Sequence, residues 1–167
     1  MEVTAQQVKE LRERTGAGIM DCRRALVETE GDMNRAAELL RERGIETAAK
    51  KAGREARQGL VESYIHAGGR VGAMIELNCE TDFVARNPQF RELAHEIAMQ
   101  IAAMNPSRVG DEPAEENDGQ GADDTPLLDQ TYIRDGSKTI RDLVQEGIAT
   151  FRENIVIRRF ARYELGG

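Results

Sequence analysis

Asn78-Cys79-Glu80-Thr81-Asp82-Phe83-Val84-Ala85-Arg86-Asn87-Pro88 is the stretch at which one apolar rhythm stops and another begins. Before it, Val71, Ala73, Ile75, Leu77 and Cys79 alternate with Gly72, Met74, Glu76 and Asn78, the period of a half-buried strand. After it, Phe90, Leu93, Ala94, Ile97, Ala98 and Ile101 recur at helical spacing. Asn87 suits a helix N-cap, and Pro88 suits the first helical position, where a missing N–H costs nothing. Thr81 to Arg86 is therefore expected on a tight strand-to-helix connection. From pattern alone Phe83 is a core plug; on a loop tip it would be an exposed anchor.

Working outward from this corner, the N-terminal part reads as three short helices. Thr4 with Gln7 forms a capping box, Val3 and Val8 a hydrophobic staple, and Gly16 a left-handed stop. A second helix, about 19–29, is expected to bury Ile19, Cys22 and Leu26. Asp32 caps a third helix, carrying Met33, Ala36, Ala37 and Leu40 up to Gly44. Residues 47–58, with Lys50, Lys51, Arg54 and Arg57, read as a separate basic linker helix. Two strands follow, 60–66 and 71–79, joined through Gly68-Gly69. The helix from Pro88 runs to Asn105-Pro106. Thr139 with Asp142 starts another helix, and a last strand spans 154–165, with Val156, Arg158, Phe160 and Arg162 alternating against Ile155, Ile157, Ala161 and Tyr163.

The fold class is α+β, an N-terminal three-helix bundle followed by a small antiparallel three-stranded sheet packed with helices. The expected divisions are a docking domain at 1–46, the linker helix at 47–58 and a core domain at 59–167. Gly31-Asp32 before Ala36-Ala37-Glu38-Leu39-Leu40 also resembles the last helix of ubiquitin-associated domains.

The formal charge of -7 belongs to one segment. Asp111, Glu112, Glu115, Glu116, Asp118, Asp123 and Asp124 lie together with no base; without these seven, 23 acids balance 23 bases. Bulk attraction to nucleic acid or to an anionic membrane does not follow. The segment at about 110–125 has almost no bulky apolar residue and is expected to be a disordered loop. Cys22 and Cys79 read as reduced, buried thiols, which suits the cytoplasm. No apolar run approaches membrane-spanning length, so the protein is expected to be soluble and unexported.

Catalytic motifs are missing from the sequence. There is no phosphate loop, no nucleophile elbow, no paired Cys-x-x-Cys and no zincin-type His pair. His66 and His95 read as surface histidines.

Three motifs in order carry a specific resemblance. Cys79-Glu80-Thr81-Asp82-Phe83-Val84-Ala85-Arg86-Asn87 resembles the signature of the elongation factor Ts family, exchange factors of the translational GTPase elongation factor Tu. Arg14-Thr15-Gly16-Ala17-Gly18-Ile19-Met20-Asp21-Cys22 and Glu153-Asn154-Ile155 to Arg158-Arg159-Phe160 are similar to further family segments. The resemblance, to a short form of the family, implies a nucleotide-exchange factor rather than an enzyme, with no cofactor. Its partner would be elongation factor Tu, in GDP-bound and nucleotide-free forms, with no direct nucleic acid and no membrane. Thr81, Asp82, Phe83 and Val84 would bind the partner, Asp82 and Phe83 entering its nucleotide domain and displacing magnesium. Arg12, Ile19 and Met20 would form a contact on the N-terminal domain. Two departures stand out: Ile19 replaces a Met found in some members, and Arg152 stands where relatives have Gly. The acidic segment at 110–125 is also shorter than in many members.

Two other classes are compatible with the residues: a ubiquitin-associated-type adaptor, and a small RNA-binding protein using the Lys50 to Arg57 face. A small sheet with exposed edges and a chain ending at Gly167 also suggest a homodimer through the C-terminal strand, burying residues such as Phe160 and Tyr163.

Overall fold

The structure is a computed structural model that describes residues 3–110 and 125–167. The acidic segment, over 111–124, lies outside the described residues. The elements run α1 (Ala5–Thr15), α2 (Ile19–Glu28), α3 (Met33–Lys51), β1 (Gln58–Ile65), β2 (Val71–Cys79), α4 (Asp82–Ala85), α5 (Pro88–Met104), a short 3-10 turn Leu127–Asp129, α6 (Ile140–Phe151) and β3 (Val156–Glu164). The chain is α+β, with helices first and an antiparallel sheet of order β1-β2-β3 after them. It divides into two compact units. One runs to Arg54 and takes in Gln145–Asn154; the other comprises Glu55–Val144 and Ile155–Gly167.

In the first unit, local signals in the sequence become caps. The Thr4 side chain accepts from Gln7 N while the Gln7 side chain accepts from Thr4 N, and Gly16 closes α1 at φ 69°. Asp32 accepts from the backbone N–H groups of Asn34 and Arg35. Val8, Leu11, Cys22, Ala25, Leu26 and Ala36 form the bundle core. Burial pushes the Cys22 thiol pKa up, against an opposing hydrogen bond from Thr15. Ile19, expected inside, is instead 55% exposed. The buried stripe of α2 centres on Cys22, Ala25 and Leu26, and Ile19 sits at its margin in the first turn.

A second correction concerns α3. It does not stop at Gly44 but continues to Lys51, so the expected boundary at 46–47 falls inside α3; of the expected linker helix at 47–58 only 47–51 are helical, as the last turns of α3, and Gln58 already opens β1. Ile45 to Lys51 are mostly good helix formers without a proline, and Gly44 is a buried helical residue rather than a left-handed cap. Its open side faces Ala149: a Cβ built at Gly44 would lie 3.9 Å from Ala149 Cβ. Buried Asn154 donates from Nδ2 to Arg54 O at 2.8 Å.

In the second unit, α5 packs on β1 and β2. Ala73, Ile75, Leu77 and Cys79 point into the core with Phe90, Ala94, Ile97, Ala98 and Ile101, the two periodicities read from sequence. Fully buried Gln100 uses its whole amide: Nε2 donates to Gln130 Oε1 (3.2 Å) and Thr131 O (3.0 Å), while Oε1 accepts from Ile133 N (3.0 Å). Tyr132 donates its hydroxyl to Glu96, which also pairs with Arg134. These bonds fasten 130–134 to α5 with no buried side-chain polar atom left unpaired among the described residues.

The strict alternation expected of the last strand is broken. A register shift between Glu76 and Leu77 leaves Arg158 as an extra residue, so Leu77 pairs with Ile157 and Ile75 with Phe160. Ile157 and Phe160 thus share the face that α5 covers, and Tyr163, opposite Gly72, lies on the other. Phe160 and Tyr163 cannot enter one face-to-face interface. Arg162 also turns inward, donating from Nε to Ala102 O at 3.0 Å in the last turn of α5, where a cation complements the helix dipole.

The outer sheet face carries Val61, Ile65, Met74 and Tyr163, all more than half exposed, around a Glu76–Arg159 pair at 2.7 Å. Among the described residues, no helix is long and apolar enough to cross a membrane.

Candidate functional site

The corner is a single capped helical turn rather than an open loop. Thr81 takes an extended conformation (φ -123°, ψ 155°) and its hydroxyl accepts from Val84 N at 3.4 Å. Thr81 O accepts from Ala85 N at 3.2 Å and from the buried Cys79 thiol at 3.1 Å. Arg86 N and Asn87 N close the turn on Asp82 O and Val84 O. Asn87 then caps α5 through Gln89 N at 2.9 Å, with Pro88 at the first position. Both ends of the turn are therefore anchored, one to a central strand and one to a long helix.

None of the α4 residues is buried. Phe83 is 82% exposed, so it is not a plug of this chain's own core. Leaving a Phe in water forgoes roughly 1.5 to 3 kcal/mol of burial. Asp82 stands in the first turn, where a carboxylate suits the helix N-terminus, and pairs with Arg86 at 3.2 Å.

Arg12, Ile19 and Met20 are all exposed, Arg12 in the last turn of α1 and the other two in the first turn of α2. They lie in the first unit and the corner in the second. Val27, two turns beyond Met20 on the same helix, is 59% exposed and was not singled out from sequence. Its signal was a Val outside the apolar stripe.

His66 and His95 are exposed, as expected, and flank Tyr64: His66 Nδ1 lies 3.0 Å from the Tyr64 hydroxyl, and His95 meets that ring edge-on at 5.5 Å. Cys22 and Cys79 are buried free thiols. Among the described residues, no group of three His, Cys, Asp or Glu is arranged to hold a metal.

A sequence model of the family described as Elongation factor TS matches residues 45–120 and 80–167. The chain belongs to the elongation factor Ts family. Elongation factor Ts of Caldanaerobacter subterraneus subsp. tengcongensis is 49% identical, with 98% of this chain and 97% of that relative covered. Elongation factor Ts of Coprothermobacter proteolyticus is 47% identical over 99% of this chain and all of its own length, and that of Desulfitobacterium hafniense 49% over 99% and 90%. The family match takes in the whole of the corner and the C-terminal strand.

Arg152, at the end of α6, has φ +59°, the left-handed region that glycine occupies without strain. Its N–H still closes the helix on Ile148 O at 2.9 Å.

Proposed function

We propose that this chain is a guanine-nucleotide exchange factor that promotes GDP release from elongation factor Tu in the cytoplasm. Membership of the elongation factor Ts family supports the partner and the class of activity. The observation that carries the mechanism is Phe83, 82% exposed on a turn anchored at both ends. In this reading Asp82 and Phe83 insert into the nucleotide domain and perturb its magnesium and phosphate sites, while Thr81 and Val84 hold the turn.

Such a factor forms no covalent bond. It binds the nucleotide-free GTPase more tightly than the GDP form, and by reciprocity nucleotide weakens the factor as much as the factor weakens nucleotide. Burying one Phe is worth roughly 1.5 to 3 kcal/mol, comparable with a typical coupling energy. Arg12, Ile19 and Met20 form a second contact, which adds affinity without acting on the nucleotide site.

The same protein pairs with a second copy through the C-terminal strand. The outer sheet face supports this, because Val61, Ile65, Met74 and Tyr163 expose apolar surface around a single ion pair. Phe160, on the helix-covered face, takes no part.

Release of fluorescent GDP from purified elongation factor Tu, followed by stopped flow with and without this protein, tests the function. Acceleration that grows with factor concentration and saturates is expected; release at the spontaneous rate at all concentrations would refute it.

A further inference from the structure

The connection between α1 and α2 is three residues long, and α2 begins without a side-chain cap, because its N-cap is Gly18. Local bonds shape the turn, Ala17 N donating to Thr15 Oγ1 at 3.3 Å and the Cys22 thiol to Ala17 O at 3.7 Å. Two further ties reach it from more than a hundred residues away, within the same compact unit. The Thr150 hydroxyl donates to Gly16 O at 3.1 Å. Asp21, in the first turn of α2, uses one carboxylate oxygen for Arg24 (2.8 Å) and the other for Arg152 (3.3 Å). Gly18 makes room for this arrangement, since a Cβ there would meet Asp21 Oδ2 at 3.2 Å.

Arg152 reaches Asp21 from a backbone conformation that L side chains rarely adopt, at φ +59°. Glycine would occupy that conformation freely and its N–H would close α6 equally well. A strained position that carries a long charged side chain points to a use for that side chain. Ile19 and Met20, 55% and 61% exposed, stand immediately before Asp21 on the turn so held.

We propose that Thr150 and Arg152 are positioning residues that clamp the Gly16–Asp21 turn and hold Ile19 and Met20 in the geometry that meets the GTPase. The inference rests on the reading of Arg12, Ile19 and Met20 as a second contact. A contact patch fixed before binding loses less freedom on association, so the clamp acts on affinity rather than on the rate of nucleotide release once bound. An exposed ion pair contributes little to folding, so the clamp is separable from stability.

The test is the concentration dependence of stimulated GDP release for Arg152→Gly, Arg152→Lys, Asp21→Asn and the Arg152→Gly/Asp21→Asn double variant. Arg152→Gly is expected to raise the half-saturating concentration by about two- to fivefold, the span for losing one exposed pair, with the saturating rate unchanged and the fold retained. Arg152→Lys recovers most of the loss, and the double variant is no worse than Arg152→Gly, because both act through one interaction. An unchanged half-saturating concentration overturns the proposal. So does an additive double variant, which would make Arg152 a direct contact. The variant pair Ile19→Ala and Met20→Ala is the control: if it leaves half-saturation unchanged, the contact reading fails. Amide hydrogen exchange then decides the clamp alone, with faster exchange over 18–22 in Arg152→Gly expected and unchanged exchange against it.

Discussion

Phe83 and Phe90 are seven residues apart in sequence, and the first is 82% exposed while the second is completely buried. The intervening turn, capped by Thr81 and followed by Asn87-Pro88, places one ring in solvent and the next among Ala94, Ile97 and the inner face of β2. Two chemically identical side chains thus do opposite work. Phe90→Ala should cost about 3–5 kcal/mol of stability, as a core cavity does. Phe83→Ala should change stability by less than about 0.5 kcal/mol, as at an exposed site. Urea unfolding of the two variants checks this, and a large loss in Phe83→Ala would return Phe83 to the core.

Tyr132 supplies a pH dependence. Burial, and then the hydrogen bond to Glu96, push its phenol pKa upward from the ordinary value of 10.0. The folded protein therefore holds this proton at pH values where the unfolded chain has released it. The stability contributed is complete below about pH 10 and is lost as pH rises through the folded pKa. Thermal melts from pH 8 to 11 should show a decline at the alkaline end that is shallower in Tyr132→Phe. An identical slope in both proteins would contradict it.

Gly44 lies inside α3, and a methyl group there would make ordinary contact with Ala149 Cβ at 3.9 Å. Gly44→Ala should therefore stabilise the protein by about 0.5–1 kcal/mol through helix propensity and a less free unfolded chain. A fall in denaturation midpoint would show that the space is tighter than this contact implies.

Dimerisation through the outer sheet face predicts a charge effect. Met74 and Tyr163 are 53% and 78% exposed there. Sedimentation equilibrium at micromolar concentration should give the dimer mass for the parent and the monomer mass for the Met74→Glu/Tyr163→Glu variant. A parent at the monomer mass refutes the dimer.

Much of this fold could be read from sequence because it is written in local chemistry. Thr4, Gly16, Asp32, Asn87-Pro88 and the reciprocal Thr139–Asp142 bonds all mark helix ends where expected. Gly44 misled because glycine signals a stop only when the chain turns left-handed, and what decides that is packing against α6, distant in sequence. The β3 register misled because a bulge inserts Arg158 without changing the apolar count. At the corner, the cap pattern was legible; pattern alone put Phe83 inside, since an apolar residue in a pattern is ordinarily buried, and it was the family resemblance that put it outside, where the structure has it. Arg152 reaching back to Asp21 is a tertiary pairing that no local pattern announces.

The most direct measurement is the stopped-flow rate of GDP release from elongation factor Tu at saturating Phe83→Ala. The wedge reading predicts a rate at least about tenfold below the parent, the loss expected when roughly 1.5 kcal/mol of buried Phe surface no longer contributes to coupling, with the melting temperature unchanged. A folded Phe83→Ala protein that releases GDP as fast as the parent would contradict it.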